Sequence, residues 1–85
     1  MNPEIEEIVE FISELQSDSS VPRNVKSKLL EIVKDLKAMS QANMSLVVNK
    51  ILSNLDDISS DANLDSFTRQ QIWSITSMLE CLETA

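Results

Sequence analysis

The chain has no glycine, no histidine and no tyrosine, and its 85 residues include one cysteine, two prolines, two phenylalanines and one tryptophan. Each scarcity removes a class of function. Without glycine there is no Gly-rich phosphate cradle and no dinucleotide fingerprint, because both need backbone bare of Cβ where the phosphate approaches. Without histidine the commonest general acid–base and the usual activator of a nucleophile are missing. Cys81 alone cannot close an internal disulfide, and with no histidine beside it there is no structural zinc set. It adjoins an apolar stripe and reads as a small core or rim residue. No catalytic residue, cofactor or metal is expected, and the chain does not read as an enzyme. Long apolar runs are absent too, and none approaches the ~20 residues of a membrane span. The start, Met1-Asn2-Pro3-Glu4, has neither a basic segment nor an apolar run of the signal-peptide kind. A soluble, cytoplasmic protein is expected, in keeping with a single thiol.

Charge is plentiful but lopsided. The formal net charge is −7, which disfavours a general polyanion binder, since such affinity rests on cations that neutralise phosphates. Residues 1–18 carry six acids and no base, residues 19–39 five bases and two acids, and the remainder two bases and six acids. The second helix is therefore a basic island, most simply a balance for its acidic neighbours.

Leu, Ile, Val and Met supply nearly all the apolar content, a mix that suits helix packing better than a sheet. Asn2 and Pro3 open a first helix, followed by acids in its first turns. Ile5, Ile8, Val9, Ile12 and Leu15 make its stripe, with Glu6, Glu7, Glu10 and Glu14 on the other side. A second helix runs from Pro22, with Ser20 as its expected cap, to Met39, along Val25, Leu29, Ile32, Val33, Leu36 and Met39. Residues 40–45 contain neither glycine nor proline, so local signals alone do not separate this helix from the next.

An internal echo argues for a break there. At an offset of 43, Ile8 falls on Ile51, Ser17 on Ser60, Asp18 on Asp61, Ile32 on Ile75 and Leu36 on Leu79. Similar residues fill the gaps, among them Val21 with Leu64 and Lys26 with Arg69. The shared Ser-Asp ahead of each turn is the part least easily matched by chance. The third helix then spans about residues 45–60, capped by Asn43 or Ser45, and the fourth about residues 65–83, along Ile72, Ile75, Leu79 and Leu82. The expected fold is all-α, one domain over residues 1–85, an up-and-down four-helix bundle of two similar hairpins, 3–39 and 45–83. A period near 43 also lies in the range of HEAT-type repeats, but two copies would leave a short, uncapped solenoid.

Carboxylates offer little chemistry. Asp61-x-Asn63-x-Asp65 resembles the opening of an EF-hand loop, yet Ser66 stands where glycine is needed and Ile72 where a bidentate Glu is needed. A turn with capping acids fits better. Glu6, Glu10 and Glu14 lack the Glu-x-x-His partners of a metal bundle and read as a solvated face. Leu30 and Trp73 stand out instead. They occupy the same column of the echo, and each projects roughly 140° from the centre of its helix's stripe. Arg23, Lys26, Lys34 and Lys37 flank Leu30. Two readings stay open: these side chains wedge between neighbouring helices, or they meet a partner.

Asp18-Ser19-Ser20-Val21-Pro22-Arg23-Asn24, Asp61-x-Asn63-Leu64, and the segment from Thr68-Arg69-Gln70-Gln71-Ile72-Trp73 to Ser74-Ile75-Thr76-Ser77-Met78-Leu79-Glu80 are together similar to a small archaeal family known only as uncharacterised protein family 0147. The resemblance implies a four-helix bundle and an archaeal cytoplasmic setting; it implies no activity, ligand or catalytic residue. Asp65 departs from the proline of such relatives, and the turn chemistry survives the change. The functional expectation is a non-enzymatic helical interaction module that self-associates as a homo-oligomer, a dimer being the favoured size, or that meets an unidentified protein partner. Leu30, Trp73 and Phe67 would supply its apolar contact, and Arg23, Lys26, Lys34 and Lys37 would meet an acidic face. The alternative is an RNA- or ribosome-associated role for the same basic face, which the net charge disfavours.

Overall fold

Apolar residues three and four apart become buried stripes on α1 (Pro3–Gln16), α2 (Arg23–Ala38), α3 (Met44–Ser59) and α4 (Ser66–Thr84). The computed structural model describes residues 3–84, the last two as backbone only, so the expected Asn2 cap lies outside the described residues. Ile5, Ile8, Ile12 and Leu15 of α1 are buried, as are Val25, Leu29, Ile32, Val33 and Leu36 of α2. Val48, Ile51, Leu55 and Ile58 of α3 complete one core with Ile72, Ile75, Leu79 and Leu82 of α4. Val9, Met39 and Leu52 sit at the margins, partly buried against it. Val21 and Leu64, from the turns, close one end.

The helices pack as a ring. Each touches its neighbours in the chain, α1 closes on α4, and the diagonal pairs α1/α3 and α2/α4 do not approach within 8 Å between Cα atoms. The bundle measures 36 × 21 × 17 Å. It is the expected up-and-down four-helix architecture, and no strand occurs among the described residues.

The turns do without glycine, and no described residue takes a positive φ. Asp18 accepts the Ser20 N–H at 2.9 Å, and Asp61 accepts the Asn63 N–H at 2.9 Å. Val21 N–H reaches Asp18 O and Leu64 N–H reaches Asp61 O, both at 3.2 Å. The first helical bonds, Lys26 N–H to Pro22 O and Arg69 N–H to Asp65 O, are both 3.0 Å. The two connections are thus the same turn, built on an Asp side chain that mimics a backbone carbonyl. Ser20 does not cap α2: Pro22 takes the cap position without a side-chain bond, and the Ser20 hydroxyl goes to Asp18 Oδ1 at 2.8 Å.

The break after α2 is real. Met39 turns extended at ψ 139°, and Asn43 Oδ1 accepts from Ser40 N–H at 2.8 Å and Oγ–H at 3.2 Å. Asn43 stands at the N-cap position of α3 but directs its side chain back into the link rather than forward into the helix.

Candidate functional site

The residues expected to form an interface are all on the surface, but not on one surface. Leu30 is 46% exposed, Trp73 55% and Phe67 56%, so none of the three wedges into the bundle. Arg23, Lys34 and Lys37 are exposed and Lys26 is half-buried, and together they surround Leu30 on α2. Trp73 and Phe67 belong to α4, the helix diagonal to α2. Within α4 they are about 120° apart around the axis. On one chain Leu30, Trp73 and Phe67 therefore do not form a single apolar patch. Leu46, 74% exposed in the first turn of α3, is a further outward apolar side chain; the same angular argument that singles out Leu30 would have found it.

The flank of α2 that carries Lys26 and Lys37 faces α1. Gln16 Nε2 donates to the Lys26 carbonyl at 3.1 Å, and Lys37 lines a groove of about 410 Å³ with Pro3, Glu6, Glu7, Val9 and Glu10. An acidic helix and a basic helix thus lie side by side on one face. The opposite flank of α2 faces α3, where Lys50 Nζ stands 3.2 Å from Asp35 Oδ2.

Two seams join the hairpins near the paired turns, and they differ. Between α2 and the turn after α3, Asn24 Nδ2 donates to Asp61 Oδ2 at 3.4 Å, with the Lys28 charge also acting on Asp61. The corresponding place between α1 and α4, 43 positions displaced, is an open groove of about 330 Å³ lined by Phe11, Glu14, Leu15, Asp18, Phe67 and Gln71. Phe67 and Gln71 stand there in the registers of Asn24 and Lys28. Phe11 and Glu14 are groove residues that periodicity alone does not single out; the available signal was Phe11 lying off the Ile5–Ile8–Ile12 stripe.

Both turn acids are held below the usual carboxylate range. For Asp18 the main cause is the Ser20 N–H, then the Ser20 hydroxyl, with a smaller pull from Lys26. For Asp61 it is the Asn63 N–H, then the Asn24 amide, with Lys28 and Arg69 contributing. Arg69 spans the second turn, its Nη2 donating to Asp61 O at 3.2 Å and Leu64 O at 3.4 Å. Asp61 is thus a turn residue. Among the described residues no three His, Cys, Asp or Glu side chains converge as a metal site, and no described helix is long and apolar enough to cross a membrane. Cys81 is exposed.

The family model described as "Uncharacterised protein family (UPF0147)" matches residues 1–82. The chain belongs to UPF0147. A UPF0147 protein of Archaeoglobus fulgidus is 38% identical over 76 residues, covering 89% of this chain and 85% of that one. A UPF0147 protein of Methanosarcina mazei is 37% identical over 78 residues, covering 92% and 83%. Among solved structures, the crystal structure of "unknown function protein MMP1188" superposes with a TM-score of 0.81 at 32% identity, covering 93% of this chain and 91% of that one. These relatives place the chain in an archaeal family whose function is not characterised.

Proposed function

We propose that this UPF0147 member is a non-enzymatic helical interaction module whose copies pair through the α1/α2 face, in a cytoplasmic setting. The observation that carries the reading is the adjacency of acidic α1 and basic α2, with exposed Leu30 among Arg23, Lys34 and Lys37. A face with an acidic and a basic ridge side by side is complementary to its own two-fold copy, acid over base on both sides of the axis. Leu30, 46% exposed, supplies an apolar anchor. The internal duplication belongs to the same reading: matched turns at an offset of 43 support one hairpin used twice. RNA is the weaker partner for this face, because Glu6 and Glu10 line a groove with Lys37 and the chain is acidic as a whole.

Light scattering on the purified protein tests the pairing. A dimer is expected, converted to monomer by Leu30→Glu and weakened by salt. A wild-type monomer at high micromolar concentration ends the proposal.

A further inference from the structure

The α1/α4 groove presents a different chemistry from the face just described, and it stands apart from self-association. At the α2/α3 seam, Asn24 bonds to Asp61 and Lys28 brings a cation from the neighbouring helix. At the α1/α4 seam the same registers hold Phe67 and Gln71, which bring no charge. Asp18 Oδ1 is engaged by Ser20, and among the described residues neither Asp18 nor Glu14 is in an ion pair. Lys26 acts on Asp18 from α2, outside the groove. The result is a groove that combines apolar Phe11, Leu15 and Phe67 with the Glu14 and Asp18 carboxylates and no lining cation, on a protein of net charge −7.

We propose that this groove docks a short cationic amphipathic segment of another protein, with an apolar side chain between Phe11 and Phe67 and a Lys or Arg beside Glu14 and Asp18. The argument is charge complementarity. The cation that α2 provides across one seam is missing across the other, and the aromatic ring in its place offers an anchor site. A net-acidic protein also steers a basic partner toward it while repelling acidic ones.

The test is fluorescence anisotropy with a fluorescein-labelled helical peptide of Leu, Lys and Ala, beside a counterpart with Glu for Lys. The Lys peptide binds at low salt and loses affinity as salt rises, and the Glu peptide does not bind. Replacing Phe67→Asn and Gln71→Lys together brings in the side chains of the other seam and weakens binding on the order of tenfold. Glu14→Lys alone, at an exposed position of α1, gives a similar loss. Glu31→Lys changes the net charge by more than Gln71→Lys but lies on α2 away from the groove, and it leaves affinity within about twofold. Circular dichroism confirms that each variant is folded. Absence of Lys-peptide binding, equal binding of the Glu peptide, undiminished binding by the double variant, or an equal loss in Glu31→Lys each overturns the proposal. A wild-type oligomer that dissociates in the double variant assigns the groove to a second copy and overturns it as well.

Discussion

Thr68 is fully buried at 0% exposure, and among the described residues its Oγ1 has no hydrogen-bond partner. It stands one turn ahead of Ile72 at core spacing, in the register that Val25 fills in the first hairpin. A buried hydroxyl without a partner destabilises the folded state, and a methyl of the same shape does not. Thr68→Val is therefore expected to stabilise the protein by about 1 kcal/mol in denaturant unfolding, whereas Val25→Thr should cost a comparable amount. A search for apolar letters at helical spacing passes over Thr68, because its burial follows from position and not from residue type. That Leu30 and Trp73 project away from the stripe was legible from the angle alone, but that neither wedges between neighbouring helices follows only from their exposure in the fold. Arg69 shares a register with Lys26, and its Nη2 alone donates to two carbonyls of the second turn.

Turns and links are where helix lengths are decided. The Asp18 and Asp61 carboxyls are lowered by N–H groups that exist only in the folded turn. A carboxyl lowered on folding contributes stability that is present above its unfolded pKa, ~3.9, and lost as pH falls through the folded value. Stability should therefore be level near neutrality and fall at strongly acidic pH. Asp18→Asn with Asp61→Asn keeps an acceptor oxygen in each turn and should flatten that acid slope, as urea unfolding at a series of pH values would reveal. A slope unchanged in the double variant would count against the turns as its source. The four helices and their stripes were readable from periodicity, and the echo argued for a break within residues 40–45, which the structure places at residues 39–43. Ser20 has two possible uses, and its bonds to Asp18 win over a forward bond into α2, leaving Pro22 at the cap position. The α1/α4 groove was not readable, since periodicity says which side of a helix is buried but not which neighbour lies on each flank.

Across the molecule, charge and topology set the possibilities for partners. Acid and base share the α1/α2 face, and the α1/α4 face is acidic and aromatic, so one small protein presents two chemically distinct surfaces. Neither can be inferred from the net charge of −7, which averages them. The ring of contacts, α1 to α2 to α3 to α4 and back to α1, has a further consequence for chain connectivity. The second half of α1 lines the groove with the first turns of α4, so these two helices run antiparallel and the end of α4 lies beside the start of α1. A short linker from α4 to α1, with the chain reopened in the polar 39–43 link, would give a circular permutant that begins with α3 and ends with α2. Its core contacts would be unchanged, and cooperative thermal unfolding with native helicity is the expected result. The closed ring has no obligatory first helix: the order in which ribosomes deliver the hairpins can be exchanged without changing the shape they settle into.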